Sequence, residues 1–128
     1  MKKLIFLLLA VLLLTACGQD TENDQGAVYM NITAGEAKQI MDSEEGYIIL
    51  DVRTQEEYDE GHIPGAILIP NTEIEVRAEE ELPDKDQLIL VYCRSGRRSK
   101  LAAEILVELD YTNIREFGGI IDWPYEVE

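Results

Sequence analysis

The sequence has 128 residues, of which 26 are acidic and 11 are basic, and its formal net charge at neutral pH is −15. This length is enough for one domain with its own hydrophobic core. A surface with this charge repels nucleic acid and anionic lipid headgroups, so we expect neither as a binding partner.

Residues 1–17 have the layout of a secretory signal, with two lysines ahead of an apolar run over residues 4–14. The run is about half as long as a membrane-spanning helix requires. Its end, LTAC at residues 14–17, resembles the lipobox of bacterial lipoproteins. The resemblance implies cleavage before Cys17 and attachment of diacylglycerol to its sulfur. An ordinary signal peptide cut nearby and an uncleaved anchor are the alternatives.

We therefore predict a signal peptide over 1–16, a lipid-anchored flexible tether over 17–28 and a globular domain over 29–128. The tether is polar and acidic and has no apolar periodicity. The protein is expected outside the cytoplasm, held at the bacterial cell membrane by the lipid rather than by a spanning helix. Once Cys17 is modified, Cys93 is a single cysteine in a compartment where thiols usually pair.

Within the predicted domain, short apolar runs alternate with helical patterns, which indicates an α/β fold with a parallel sheet covered on both faces. The apolar runs predict strands over 29–32, 47–51, 66–69, 88–92 and 113–117. The helical patterns predict helices from a cap near 33 to about 42, from a capping box at 54–57 through 60, over 71–82 and over 99–109. Pro124 limits any helix after residue 119 to about one turn.

Cys93 follows the most apolar of these strands and precedes a helix by a few residues, at the edge of the sheet where α/β folds place their sites. The segment CRSGRRS, residues 93–99, contains Gly96, which permits backbone conformations closed to other residues. Inward-facing amides, the helix dipole and nearby guanidiniums would together lower the pKa of this cysteine. We therefore predict a thiolate nucleophile, and a buried, inert cysteine is the alternative.

Positive charge is concentrated at this loop, because four basic residues fall within seven positions: Arg94, Arg97, Arg98 and Lys100. Cationic side chains at the start of a helix oppose its macrodipole, so helix stability does not account for them. Their clustering predicts a local binding site for an anion.

Three motifs resemble the signatures of the rhodanese family. Residues 93–99 resemble its active-site loop, residues 51–66 (DVR, EY and GHIPGA) its upstream signature, and residues 117–123 (FGG and W) its C-terminal signature. The resemblance implies a three-layer α/β sandwich with a five-stranded parallel sheet and helices on both faces. It also implies a sulfurtransferase, which takes sulfane sulfur from thiosulfate or a persulfide and passes it to cyanide or a thiol.

In such a reaction Cys93 would form the persulfide. The loop that binds the anion and the persulfide would consist of Arg94, Ser95, Gly96, Arg97 and Arg98. No cofactor is implied, and one histidine with one free cysteine is too few ligands for a zinc site.

Asp51, Arg53 and Glu57 of the upstream signature are predicted to support the structure rather than to act in catalysis. An arginine at the end of a buried strand needs a carboxylate partner, and we expect Glu57 to pair with Arg53. His62 is expected to order the turn before Pro64 rather than to act as a general base.

Three other functions are weighed against sulfur transfer. Cysteine-dependent phosphatases have five residues between cysteine and arginine, whereas Arg98 follows Cys93 after four and the loop contains no general acid. A non-catalytic rhodanese-like binding or regulatory module is the second alternative, although inactive members commonly lack the loop cysteine. Thiol redox exchange is less favoured because no resolving cysteine lies beside Cys93.

Overall fold

The computed structural model describes residues 28–128. The predicted signal peptide, the predicted lipidation site Cys17 and all but the last residue of the predicted tether lie outside the described residues. No helix within 28–128 has both the length and the apolar character needed to cross a membrane.

The described residues form one five-stranded parallel sheet with helices on both faces, which confirms the predicted α/β sandwich. The strands are β1 (Met30–Asn31), β2 (Ile48–Asp51), β3 (Ile67–Leu68), β4 (Ile89–Cys93) and β5 (Ile114–Gly119). Their order across the sheet is β1-β5-β4-β2-β3, and every neighbouring pair is parallel. All residues of the central strand β4 are buried. This explains its continuous apolar sequence, since helices cover both faces of a parallel sheet.

Four helices and two single 3₁₀ turns accompany these strands in residues 28–128. They are α1 (Ala34–Ser43), α2 (Gln55–Glu60), the turn Asn71–Glu73, α3 (Ile74–Glu81), α4 (Arg97–Glu108) and the turn Ile120–Asp122. The capping box predicted at the start of α2 is present, because Thr54 Oγ1 accepts from the Glu57 amide at 3.2 Å. Three predicted boundaries were wrong: the helix expected over 71–82 starts as a 3₁₀ turn, α4 begins two residues before position 99, and β5 ends two residues after position 117.

Each face of the sheet has its own hydrophobic core. Side chains of α3 and α4, such as Ala78 and Leu106, pack on one face. Ala37 of α1 packs on the other face together with Phe117 and Trp123. The Trp123 ring centroid lies 5.6 Å from that of Phe117, and the indole is 9% exposed. The single turn expected after β5 is therefore present, and Trp123 still closes this face of the sheet.

Candidate active site

Cys93 is the last residue of β4, and three residues separate it from the first residue of α4. Its side chain belongs to the core on the α4 face, and the residue is 1% exposed. The pairing of β4 with β5 is irregular between Val91 and Cys93, so that Cys93 lies opposite Gly119. The sulfur is therefore at the carboxyl edge of the sheet, under the start of α4, as the sequence pattern predicts.

The loop after Cys93 folds back over the sulfur. Gly96 has a φ of 102°, in the left-handed region that favours glycine, and its amide donates to Cys93 Sγ at 3.0 Å. A Cβ at Gly96 would lie 3.4 Å from the Cα of Gly118, so β5 confines the loop from the other side. Gly96 is also the N-cap of α4, so the chain enters the helix directly after the residue whose amide binds the sulfur.

The end of β5 supports the loop from behind. A Cβ at Gly119 would collide with the backbone carbonyl of Arg94 and would lie 2.6 Å from Ser95 Cα. The amide of Ile121, in the turn that follows β5, donates to the same Arg94 carbonyl at 3.2 Å. Only a residue without a side chain allows this approach, which gives a steric reason for the second glycine of the FGG motif.

Two polar residues near the sulfur were missed in the sequence analysis as site residues. Ser99 Oγ lies 3.3 Å from Cys93 Sγ and 2.7 Å from Oε1 of Glu116. Ser99 is fully buried and Glu116 is 2% exposed. The available signal for Glu116 was a carboxylate in a predicted strand two residues before a glycine pair, because a carboxylate that is buried there requires specific partners.

The surroundings of Cys93 favour the thiolate. Burial raises the pKa of the Cys93 thiol, but hydrogen bonds from the Ser99 hydroxyl and from the amides of Ser99, Gly96 and Ser95 lower it, and the net pKa is below the ordinary value. The expected contribution of guanidiniums takes a different form. Within residues 28–128, none of the hydrogen bonds to Sγ comes from an arginine.

Arg98 lies close enough to Cys93 to interact through charge, but its hydrogen bonds go elsewhere. Its two terminal nitrogens bind both oxygens of Glu57 at 2.6 and 2.8 Å. This bond raises the pKa of Arg98, and the charges of Glu57 and Cys93 raise it further. The bidentate pair ties the first turn of α4 to α2 and holds a positive charge beside the loop.

The predicted pairing of Arg53 with Glu57 was wrong. The Arg53 guanidinium folds back onto Asp51, with Nη2 2.7 Å from Oδ2, and both side chains are buried. Glu57 is directed towards Arg98 instead. A local partner two residues away leaves Glu57 free to join α2 to α4, so two ion pairs replace the expected one.

The buried Asp51 carboxylate also binds β4. The phenol of Tyr92 donates to Asp51 Oδ2 at 2.6 Å and accepts from the amide of Ile63 at 3.1 Å. Burial and the bond to Asp51 raise the pKa of Tyr92, which therefore stays protonated as a donor. Tyr92 directly precedes Cys93 in the chain, so these two hydrogen bonds fix the end of β4.

His62 lies in the turn after α2 and has its own partners. Its Nδ1 is 2.9 Å from the Tyr58 carbonyl oxygen, and its Nε2 is 3.2 Å from a carboxylate oxygen of Glu128. The imidazole stacks on the Tyr58 ring with centroids 3.8 Å apart. These contacts hold the turn before Pro64, and Cys93 is not among them.

Several cationic side chains around the loop face solvent. Arg94, Arg97 and Lys100 are exposed, and none of them takes part in an ion pair with another described residue. Within 28–128, no group of three or more His, Cys, Asp or Glu side chains has the arrangement of metal ligands. The site therefore combines a buried, hydrogen-bonded sulfur with a cationic rim that is open to anions.

An open α/β sheet with a cysteine held by backbone amides at a strand-to-helix turn places the chain among α/β proteins whose site is a cysteine loop. The rhodanese-like domain model matches residues 33–124, and the chain belongs to the rhodanese-like domain family. Thiosulfate sulfurtransferase PspE from Escherichia coli is 44% identical over 73 residues, which are 57% of this chain and 70% of that protein. YrkF from Bacillus subtilis is 37% identical over 112 residues, 87% of this chain but 60% of that protein.

Solved structures agree with this assignment. A structure of a rhodanese with anions from E. coli has a TM-score of 0.60 and 39% sequence identity to this chain. The match covers 64% of this chain and 96% of the E. coli chain. Each of the three motifs contains the last residue of a strand, Asp51 of β2, Cys93 of β4 and Gly119 of β5, at the carboxyl edge of the parallel sheet.

Replacing Gly119 with alanine is expected to displace the loop. The added Cβ would meet the backbone of Arg94, so we expect the free energy of unfolding to fall by about 1–3 kcal/mol, the usual cost of overpacking. The pKa of the Cys93 thiol should rise, because the loop amides would move away from Sγ. Urea denaturation and the pH dependence of thiolate ultraviolet absorbance measure the two effects.

Gly35→Ala is the matched control, because a Cβ there would make only ordinary contacts of 3.7 Å or more. It lies in α1, where alanine favours the helix by up to about 1 kcal/mol, so it should not lower the free energy of unfolding and should leave the thiol pKa unchanged. A Gly119→Ala protein with an unchanged thiol pKa would contradict the supporting role of β5.

The Glu57–Arg98 pair predicts a pH-dependent stability. The bond to Arg98 lowers the pKa of Glu57 from 4.5 to about 2. A carboxylate whose pKa is lower in the folded state stabilises the protein above its unfolded pKa, and this contribution is lost as the pH falls through the folded pKa. We expect Glu57→Gln to lower the free energy of unfolding by about 1–2 kcal/mol at pH near 7, after allowance for solvent screening.

Urea denaturation at neutral pH and again near the folded pKa of Glu57, about 2, would measure this difference. The difference in free energy of unfolding between the wild type and Glu57→Gln should decrease as the pH falls from neutral to about 2. The neighbouring exposed Glu56 makes no ion pair with another described residue, and Glu56→Gln is the matched control with little expected effect. If this difference in free energy did not change with pH, the charge of the Glu57 carboxylate would not be the source of the stabilisation.

Proposed function

We propose that this protein is a sulfurtransferase in which Cys93 carries sulfane sulfur as a persulfide. The observation that carries the proposal is the position of Cys93 Sγ, buried at the end of β4 and bonded to the Gly96 amide at 3.0 Å. The same donors that stabilise a thiolate also suit a persulfide anion, since an additional sulfur atom needs comparable compensation for its charge.

The reaction has two displacement steps. The Cys93 thiolate attacks the outer sulfur of thiosulfate, an S–S bond forms to Cys93, and sulfite leaves with the electron pair of the broken S–S bond. A thiophilic acceptor such as cyanide or a thiolate then attacks the outer sulfur of the persulfide and releases the Cys93 thiolate. Sulfur atoms and charge balance in both steps, and the ionised cysteine needs no separate general base.

The cationic rim supports an anionic donor. Arg94 and Arg97 are exposed beside the loop on a chain that is otherwise strongly acidic, so they raise the local concentration of anions. The relative PspE is named a thiosulfate sulfurtransferase, and the related E. coli structure is that of a rhodanese with anions. The first name supports thiosulfate as donor, and the second supports an anion at the site; a persulfide donor and a thiol acceptor are part of the same proposal.

Phosphatase chemistry is less well supported by this geometry. The loop amides converge on one sulfur atom, with four residues between Cys93 and Arg98, and Arg98 is engaged by Glu57. A phosphoryl group needs an arginine that is free to bind its equatorial oxygens and an acid to protonate the leaving alkoxide. Sulfur transfer requires neither.

We also propose that the protein acts outside the cytoplasm, tethered by a lipid on Cys17. The motif LTAC at 14–17 and the polar stretch after it support this location. Cys17→Ser should abolish incorporation of labelled fatty acid, while Cys93→Ser should leave it unchanged. A wild-type protein that incorporates no labelled fatty acid would contradict the lipid anchor.

Mass spectrometry tests the persulfide directly. Reduced wild-type protein incubated with thiosulfate should gain the mass of one sulfur atom on the peptide that contains Cys93, and cyanide should remove it as thiocyanate. Cys93→Ser should show neither event. Because the nucleophile is lost, we expect thiosulfate–cyanide sulfur transfer to fall by at least about a thousandfold in this variant.

The negative results of this experiment are also informative. A folded, reduced wild-type protein that gains no sulfur would favour a non-catalytic binding module. Hydrolysis of phosphomonoesters without sulfur transfer would favour the phosphatase and overturn the proposal.

A further inference from the structure

The hydroxyl of Ser99 lies between two acidic groups that the sequence places 23 positions apart, Cys93 and Glu116. Its Oγ is 2.7 Å from Glu116 Oε1 and 3.3 Å from Cys93 Sγ. The carbonyl oxygens of Gly96 and Gly118 lie 3.0 and 3.4 Å from the same Oγ. A serine hydroxyl has one proton to donate, and the carboxylate, the thiolate and both carbonyls are acceptors, so these groups compete for it.

Glu116 is fixed in position for this competition. Its side chain is buried on the α4 side of β5, and the amide of Gly118 donates to the same Oε1 at 2.8 Å. Hydrogen bonds to an ionised carboxylate are shorter and roughly twice as strong as neutral ones. When the Ser99 proton turns to Glu116, a lone pair of Oγ faces Sγ, and a lone pair favours the protonated thiol over the thiolate.

We propose that Glu116 is a positioning residue that competes with the Cys93 sulfur for the single proton of the Ser99 hydroxyl and thereby restrains ionisation of the nucleophile. The loop amides promote the thiolate, and Glu116 opposes them through Ser99. A thiolate of very low basicity is a weak nucleophile, although it is a good leaving group. Restraint by Glu116 would balance the two displacement steps, and this consequence for turnover rests on the proposed sulfurtransferase function.

Other titratable groups near Cys93 and Glu116 do not neutralise the charge of Glu116 or replace Ser99 as the donor between them. Arg98 of α4 approaches Cys93, but its guanidinium is occupied by both oxygens of Glu57. Tyr29, which precedes β1, faces Glu116, and burial together with nearby carboxylates raises its phenol pKa. A neutral phenol does not cancel the charge of Glu116.

Glu116→Gln tests the proposal, because glutamine keeps the shape of glutamate and an acceptor for the Gly118 amide but has no charge. The Ser99 proton should then turn to the sulfur. Below the titration midpoint of Cys93, we expect the ratio of thiolate to thiol to rise about tenfold, the effect of one charge-assisted hydrogen bond. The rate of alkylation by iodoacetamide as a function of pH measures this ratio without any sulfur transfer.

Ser99→Ala separates the hydroxyl relay from a direct effect of the Glu116 charge. In the Ser99→Ala background, the rise in the ratio of thiolate to thiol caused by Glu116→Gln should fall to about a third or less. A double-mutant cycle detects such a loss when one group acts through another. An equal rise in this ratio in both backgrounds would show that the charge of Glu116 acts through space, and it would overturn the proposal. A ratio that does not change in either background would also overturn it.

If Glu116→Gln does not fold, the proposal can still be tested by NMR on protein that keeps Glu116. In wild-type protein labelled with ¹³C, the side-chain carboxyl resonance of Glu116 should show a titration step at the midpoint of Cys93. Ser99→Ala should remove most of that step, and a wild-type carboxyl resonance without it would overturn the proposal. A failure of thiosulfate to persulfidate Cys93 would overturn the sulfurtransferase function alone, because neither titration depends on sulfur transfer.

Discussion

The structure of the site depends on hydrogen bonds that compensate a buried sulfur. Cys93 is nearly inaccessible, and burial alone would favour its neutral thiol. Hydrogen bonds from the amides of Ser95 and Gly96 in the loop, and from the hydroxyl and amide of Ser99, outweigh burial and lower the pKa of the thiol. Ser99 belongs to the first turn of α4, which begins immediately after the loop. The helix can begin there only because glycine adopts a positive φ at position 96. The chemistry of the cysteine is therefore a consequence of where one helix starts.

The loop cannot keep this shape by itself, and β5 supplies the support. The backbone of Gly119 touches the loop where a side chain would collide, and the turn after β5 binds the carbonyl of Arg94. Trp123, four residues on, packs against Phe117 on the opposite face of the sheet. The C-terminal motif thus has two structural tasks, since it supports the loop on one face and closes the core on the other.

Charge is divided unevenly over the molecule. The chain is strongly acidic, yet the buried and half-buried arginines near the site each have a carboxylate partner, Asp51 for Arg53 and Glu57 for Arg98. The Glu57–Arg98 pair joins α2 to α4 and contributes stability that depends on pH, because Arg98 lowers the pKa of Glu57. The exposed cations of the loop have no such partners among the described residues, and they give an acidic protein one face that attracts anions.

The sequence by itself determined the order of strands and helices, the α/β class and the position of Cys93 at a strand-to-helix turn. These features depend on local periodicity, on capping residues such as Thr54 and on a contiguous loop motif, all of which act over a few residues. The family resemblance followed from the same contiguous motifs. The sheet and the family were predicted correctly for this reason.

Only the tertiary structure decided which groups meet across the fold. Glu57 and Arg98 are 41 positions apart, and Ser99 and Glu116 are 17 apart, so their contacts depend on how α2, α4 and β5 pack rather than on local pattern. The sequence therefore allowed Arg53 and Glu57 to be paired wrongly and left Ser99 and Glu116 unnoticed. Side chains of matching charge are numerous in this chain, and packing selects among them because a buried ion pair is stable only with the right geometry.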